Sequence, residues 1–191
     1  MATLVIGLGN PGGEYASSRH NVGWRALAEL ERRGRFGRER KEGPSKIREG
    51  SVDGLDLVIA RPSTFMNLSG RAGRHLTGKL GTSPEDAIVV HDDLDLPLGR
   101  LRLRRGGSAG GQRGVRHLID SWQTQDFMRV RIGIGRPPSG VDPVDYVLQA
   151  FDPDERERLP AIVGRAADSV VAIVREGLEP AMNQFNRAPD D

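Results

Sequence analysis

Three short apolar runs, TLVIGL (3–8), AIVVHDD (87–93) and FMRVRIGIG (127–135), alternate with stretches whose apolar residues recur at helical spacing. Runs of this length suit buried strands, and their alternation with helical segments predicts an α/β fold. The first helical stretch is NVGWRALAELERR (21–33), where Val22, Leu27 and Leu30 fall near a 3.6-residue period. MNLSGRAGRHLTGKLG (66–81) predicts a helix stopped by Gly81, and GVRHLIDSW (114–122) predicts another. From Pro153 onward the pattern is helical, with Pro160 near a first turn. SVDGLDLVIARP carries a hairpin signal at Asp53-Gly54, while RGRFGRERKEGPSK (33–46) has the composition of a charged loop. RLRLR (100–104) alternates strictly, which puts Arg100, Arg102 and Arg104 on one face of a strand and Leu101 and Leu103 on the other. No repeat or linker interrupts the 191 residues, so one domain over 1–191 is expected, with a helical C-terminal segment from about residue 153.

Charge is the second constraint. The formal net charge is only +2, from 28 basic and 26 acidic residues, but the two signs are segregated. Residues 100–116, RLRLRRGGSAGGQRGVR, hold six arginines and five glycines with no acid, while acidic residues collect in FDPDERERL, REGLEP and APDD near the end. A large polyanion meeting one face would account for the split, and a solvated arginine face is the alternative. With 37% hydrophobic and 28% charged residues the chain is expected to be globular and soluble. No apolar run approaches the roughly 18 residues of a membrane span, and the N-terminus lacks the basic region of a secretory signal. The absence of cysteine excludes disulfides, thiolate metal sites and a cysteine nucleophile, and agrees with a cytoplasmic location.

Among motifs, GLGNPG (7–12) is a literal G-x-G-x-x-G after a strand. A dinucleotide fingerprint needs a helix to start within the glycine turn, whereas helical periodicity here begins only near Asn21. A glycine turn that brings Asn10 to a strand end is the better reading. The four histidines (20, 75, 91, 117) form no metal-ligand spacing, HDDLDLPLGR lacks the glycine and closing glutamate of a calcium loop, and no G-x-S-x-G elbow is present. His20, in a polar loop before a helix, taken alone has the standing of a structural histidine. Asp92, at the C-terminal end of a strand in an α/β sheet, changes that balance. An aspartate bonded to one imidazole nitrogen fixes the tautomer and stabilises the imidazolium formed when the other nitrogen takes a proton. Asn10 and Asn67 can orient an acyl group or donate to an oxyanion without adding charge. This inventory fits attack of water on an activated ester.

GLGNPGGEYASSRHNVG, RPSTFMNLSG, VVHDDLDLPLGRLRLR, the glycine loop, RIGIGRPP and DYVLQAF closely resemble the bacterial peptidyl-tRNA hydrolase family, in family order and over nearly the whole chain. The resemblance implies a single α/β domain with a twisted mixed β-sheet flanked by helices. It implies hydrolysis of the ester joining a peptide to the tRNA 3′ end, without metal or cofactor, by a cytoplasmic monomer. His20 matches the family's general base, Asp92 the aspartate that holds it, and Asn10 the residue that senses an N-blocked aminoacyl group. Tyr15, Phe65, Met66 and Asn67 match positions lining the site around the tRNA 3′ end and peptide. Phe65 and Met66 would otherwise read as core packing and Tyr15 as a surface contact. Arg102, Arg104 and Arg131 fall where family basic residues grip the 5′ phosphate and acceptor stem, with the glycines letting backbone approach the acceptor end. The chain departs from the family at Gly111-Gln112-Arg113-Gly114, where Gly-His-Asn-Gly is usual and the asparagine, here Arg113, normally contacts substrate. An arginine there would bind a terminal phosphate or a backbone carbonyl. The altered loop is the only support for a rival reading, an RNA-binding protein that has lost catalysis, and a nucleotide-dependent oxidoreductase built on GLGNPG is a distant third.

Overall fold

The computed structural model describes residues 1–188, so Asp190 and Asp191 of the acidic C-terminal run lie outside the described residues. The strands are β1 (Thr3–Gly7), β2 (Arg35–Phe36), β3 (Arg40–Glu42), β4 (Ser45–Val52), β5 (Leu55–Pro62), β6 (Ile88–Asp93), β7 (Leu101–Arg105) and β8 (Met128–Gly133). The α-helices are α1 (Val22–Arg33), α2 (Ser69–Leu80), α3 (Arg113–Trp122), α4 (Pro143–Leu148), α5 (Pro153–Glu176) and α6 (Leu178–Phe185). One sheet runs in the order β2-β4-β5-β1-β6-β8-β7, with β3 pairing β4. β1 is parallel to β5 and β6, and β6 is parallel to β8; the outer pairs β4–β5, β2–β4, β3–β4 and β7–β8 are antiparallel. The mixed α/β sheet expected from the sequence is therefore what forms.

Period-2 alternation divides the core into two layers. Leu4, Ile6 and Val89 face the side covered by α2 and α3, where Leu76, Val115 and Leu118 meet them. Val5, Ile88 and Val90 face the opposite side, under α1, α5 and α6, with Leu27, Leu30, Val170 and Phe185. Each such side chain contributes about 1.5–3 kcal/mol on burial. Because the central strands are covered on both faces, they read as continuous apolar runs.

The Asp53-Gly54 hairpin joins β4 to β5, and both turn residues have positive φ (52° and 79°), as a two-residue turn that follows strand twist requires. Gly81 ends α2 in the left-handed conformation with its N–H on the Thr77 carbonyl oxygen. Three sequence expectations change. Residues 33–46 are not wholly loop: the charged segments β2 and β3 find ladder partners on β4, a cross-strand gain that local composition does not encode. Pro160 lies well inside α5; the first turn belongs to Pro153, with a reciprocal capping box between Asp152 and Glu155. Arg100 precedes β7 and donates to the Asn186 carbonyl oxygen at 2.9 Å, so it is not part of the arginine face. The Asn186 side chain also accepts from Leu103 N–H (2.7 Å) and donates to the Leu103 carbonyl (3.0 Å), satisfying the edge of β7 where no further strand pairs. Helix α4 is an addition to the sequence reading, although Asp142 capping Val144 N–H and Pro143 in the first turn are its start signals. Among the described residues no helix is long and apolar enough to cross a membrane.

Candidate active site

The carboxyl ends of the parallel strands β1 and β6 open into a cleft of about 290 Å³. GLGNPG serves this end of the sheet through close packing. Gly23, in the first turn of α1, lies so near strand backbone that a methyl there would press on the Val90 and Leu8 carbonyls, and Gly7 and Gly9 are filled against Leu27 and Trp24. Trp24 Nε1 donates to the Gly7 carbonyl at 2.9 Å. α1 begins at Val22, too late to aim its N-terminus into the glycine turn, so the dinucleotide reading fails on geometry.

His20 sits on a 3₁₀ turn (Arg19–Asn21) leading into α1, and Asp92 on the penultimate position of β6. His20 Nδ1 lies 2.8 Å from Asp92 Oδ2, both side chains being buried. An ionised carboxylate only accepts, so Nδ1 carries the proton and Nε2 is left as the basic nitrogen at the cleft. Asp92 Oδ1 accepts from Gln112 Nε2 at 3.0 Å, and Gln112 Oε1 accepts from Val115 N–H at 2.8 Å, capping α3. The Gln112-Arg113 departure thus leaves the His20–Asp92 pair intact and supplies it with a third member. Neighbouring His91 donates from Nδ1 to the Asp92 carbonyl oxygen at 2.8 Å, and burial pushes its pKa below the usual histidine value.

Asn10 is held by three hydrogen bonds. Its N–H donates to Asn21 Oδ1 (2.8 Å), its carbonyl accepts from Asn21 Nδ2 (3.0 Å), and its Oδ1 accepts from Met66 N–H (2.7 Å). With Oδ1 occupied, the group Asn10 offers to the cleft is its Nδ2 donor. Asn21, buried beside His20, is a site residue that sequence reasoning misses; its only signal is adjacency in Arg19-His20-Asn21. Met66 is buried in the core and also lines the cleft, so packing and site roles coincide. Phe65 is 55% exposed and meets Tyr15 edge-on at 6.4 Å between ring centroids, and exposed Asn67 stands beside them. Tyr15, Phe65 and Asn67 all line the cleft, as does exposed Arg113 in the first turn of α3.

The expected basic face forms on β7 and β8. Arg102 registers opposite Arg131 and Arg104 opposite Arg129, while Leu101 and Leu103 point into the core. Arg131 is paired with Asp93 at 2.6 Å; among the described residues Arg102, Arg104 and Arg113 make no ion pair. Arg131 and the other two arginines of the face stand outside the cleft lining. Arg129 is a second residue without a signal in the sequence. It is buried, and donates to the carbonyls of Ser108 (2.7 Å), Gly107 (2.6 Å) and Gln125 (3.1 Å), with its guanidinium 4.4 Å above the Phe127 ring. Burial, then the charges of Arg104 and Arg131, lower its pKa to about 10. It supports from beneath a loop in which Gly106, Gly107, Gly110 and Gly111 all have positive φ.

The family model described as peptidyl-tRNA hydrolase matches residues 4–191. The chain is 46% identical over 185 residues to the peptidyl-tRNA hydrolase of Nocardia farcinica, covering 96% of this chain and 95% of that one. It is 45% identical over 184 residues to that of Chloroflexus aurantiacus, covering 96% and 98%. The crystal structure of peptidyl-tRNA hydrolase from Acinetobacter baumannii superposes with a TM-score of 0.89 at 32% identity, covering 97% of this chain and 94% of that one. With relatives of this closeness aligned end to end, the chain belongs to the peptidyl-tRNA hydrolase family.

Proposed function

We infer that the chain hydrolyses peptidyl-tRNA, releasing free tRNA and the peptide acid, and that His20 is its general base. The family supports the reaction. The single observation that supports the base is the 2.8 Å contact of His20 Nδ1 with Asp92, which leaves Nε2 unprotonated at a cleft able to hold an acyl group. Nε2 takes a proton from water as the water oxygen bonds to the ester carbonyl carbon. Asp92 stabilises the imidazolium, and positioned base catalysis of this kind contributes about 10²–10⁴-fold. When the bond from the acyl carbon to the ribose oxygen breaks, the imidazolium returns its proton to that oxygen. No redox or metal step enters the balance.

The Asn10 Nδ2 donor suits a carbonyl oxygen of an N-blocked aminoacyl group, and an exposed free amino group cannot accept that bond in its protonated form. Asn67, Tyr15, Phe65 and Met66 form the wall for the 3′ end and peptide. Arg102 and Arg104, without acidic partners among the described residues, grip acceptor-stem phosphates together with Arg131, and Arg113 grips a phosphate or carbonyl nearer the 3′ end. The family and its substrate make a cytoplasmic monomer the accompanying reading.

The test is hydrolysis of N-acetyl-aminoacyl-tRNA, with free aminoacyl-tRNA and chelator as controls. Cleavage of the blocked substrate alone, unaffected by chelator and abolished in His20→Ala while tRNA binding persists, is expected. Near-normal single-turnover cleavage by His20→Ala would refute the assigned base. Binding of tRNA without turnover by the wild type would refute the activity.

A further inference from the structure

We propose that Gln112 is a positioning residue for the reaction, one that holds Asp92 Oδ1 so that Oδ2 is kept for His20 Nδ1–H, and that sets which way an amide at position 92 would face. The inference rests on the reading of His20 as general base. It goes beyond that reading in giving a role to the residue at which this chain departs from its family.

The argument begins with the direction of one amide. Val115 N–H is a donor at the start of α3 and can be satisfied only by an acceptor, so the Gln112 oxygen must face it at 2.8 Å. The Gln112 NH₂ is then forced to the other side, where it meets Asp92 Oδ1 at 3.0 Å and Met66 Sδ at 3.3 Å. Gln112 is buried, so neither bond is readily exchanged for water. The helix cap therefore orients the glutamine, and the glutamine presents a donor to Asp92. A position 92 flanked by two donors, Gln112 Nε2 and His20 Nδ1–H, must carry two acceptors, and a carboxylate does. A glutamine amide offers both this donor and the capping acceptor at every pH, whereas the imidazole usual in the family keeps no acceptor once it is protonated.

Around Asp92 the charged and titratable groups are His20 from the turn before α1, His91 and Asp93 on β6, and Arg131 on β8 bonded to Asp93. Arg113 at the start of α3 and Tyr15 complete the set at the cleft. None of the hydrogen bonds found for these groups competes for Asp92 Oδ1, so the direction of the Gln112 amide decides the arrangement.

The consequence is a prediction about Asp92→Asn. The single oxygen of the substituted side chain must serve Gln112, whose donor cannot turn away, so its NH₂ faces His20 Nδ1. That nitrogen then accepts, the proton moves to Nε2, and the base is lost. kcat should fall by about 10²–10⁴-fold. Adding Gln112→Glu reverses the pattern. The introduced carboxylate keeps one oxygen for Val115 N–H, and a negative charge suits a helix N-terminus, so the cap survives. Its other oxygen accepts from the NH₂ of the asparagine side chain at position 92, which turns that side chain's oxygen back to His20 Nδ1–H.

The experiment compares Asp92→Asn with Asp92→Asn/Gln112→Glu in single-turnover hydrolysis of N-acetyl-aminoacyl-tRNA, and reads the His20 tautomer by ¹⁵N NMR in both. Recovery of about tenfold or more in kcat, with KM little changed and the His20 proton returned to Nδ1, is expected. A capping role alone would not produce rescue, because Asp92→Asn leaves the cap untouched. A double variant no faster than Asp92→Asn, or the same tautomer in both, overturns the proposal. Should the double variant fail to fold, Gln112→Met decides: it removes the donor at similar length, and unchanged kcat with an unchanged His20 Nδ1 proton resonance overturns the proposal. The His20→Ala assay separates the two failures. Activity surviving in His20→Ala refutes the assigned base; loss of activity there without rescue in the double variant refutes only the role of Gln112.

Discussion

Arg19 joins the His20 turn to the far wall of the cleft, and on the proposed mechanism its removal should be felt in both stability and rate. Its side chain is 2% exposed. Nη2 lies 3.0 Å from Glu155 Oε2 and 3.4 Å from Asp152 Oδ2, Nη1 donates to the Tyr146 carbonyl at 3.2 Å, and the guanidinium sits 4.0 Å over the Tyr146 ring. Its own N–H donates to the Gln149 carbonyl, and Ser18 bridges to Ala150. The His20 turn is thus stitched to α4, whose Val144, Val147 and Leu148 line the cleft. Arg19→Met keeps most of the volume and removes the charge. Breaking a buried ion pair costs about 3–5 kcal/mol when the remaining charge is stranded. Here the stranded acids are better placed: Asp152 is 73% exposed, and Glu155 retains its capping bond to Asp152 N–H at 2.9 Å. The ion-pair loss then shrinks toward about 1–2 kcal/mol, and an orphaned Tyr146 carbonyl and the lost ring contact add about 1–2 more. A total of about 2–4 kcal/mol corresponds to roughly 5–12 °C in Tm for a chain of this size. Urea and thermal melts followed by the fluorescence of Trp24 and Trp122 read this loss. A displaced His20 should also lower single-turnover hydrolysis, by as much as about 100-fold if the shift reaches 1 Å. The control is Asp152→Asn: Asp152 is the exposed member of its pair, and its loss should cost no more than about 1 kcal/mol. An Arg19→Met protein with wild-type melting and rate would refute the argument that this arginine holds the site together.

The basic face makes a salt-dependent prediction: Arg102→Ala with Arg104→Ala should weaken tRNA binding and reduce the log–log salt slope by roughly 0.7–0.9 per lost phosphate contact, and an unchanged slope in filter binding would assign both to a solvated face. Arg113→Ala should raise KM more than it lowers kcat, with a loss of about 1.5–3 kcal/mol in kcat/KM, while Arg113→Asn, the usual family residue, should recover part of it; steady-state kinetics with no change in either variant would leave Arg113 in solvent. Glu29 gives a pH effect. Hydrogen bonds from Arg32 and Arg33 lower its carboxyl to about 2, so the folded state holds its proton less tightly than the unfolded chain. Its contribution is complete above about 4.5 and disappears as pH falls toward 2. Because the pair lies at the surface, Glu29→Gln should cost under about 1 kcal/mol at neutral pH and flatten the acid limb of stability in that window, which denaturant melts across pH would show.

Those elements whose signal is local were legible in the sequence. The buried strands β1, β6 and β8 stood out because both their faces are covered, and helices α1, α2 and α3 because one stripe of each meets the sheet. The Asp53-Gly54 turn was legible because few residue pairs tolerate two positive φ angles in succession. What depends on a distant partner was not. β2 and β3 are strands only because β4 offers its edge, and a two- or three-residue charged strand has no period to detect. Pro160 was assigned to a first turn that Pro153 in fact occupies, since either proline satisfies the same local rule.

The site divides in the same way. His20 and Asp92 were proposed from their chemistry, Asn10 and Asn67 as uncharged groups able to orient an acyl group, and Tyr15, Phe65, Met66 and Arg113 from resemblance; all of them line the one cleft. Arg19, Asn21 and Arg129 escaped, and Gln112 stood out only as a departure from the family, because buried polar side chains are defined by what they bond; Arg19 reaches partners 127 and 136 residues away. Charge patterning had a related blind spot. The run 100–116 was read as one basic face, yet its six arginines separate once their partners are known. Arg100 is spent on the Asn186 carbonyl, Arg105 on the Glu85 carbonyl and Asp126, and Arg116 on Asp120. Arg102, Arg104 and Arg113 keep their charge without an acid among the described residues. Guanidiniums that make no internal ion pair gain most from an external phosphate, since no existing bond has to be broken first. The segregation seen in the sequence therefore overstates the number of arginines left without an internal partner, and Arg102 and Arg104 remain on β7 at the edge of the sheet. It is the subset left unpaired on β7 and at the start of α3 that carries the binding argument.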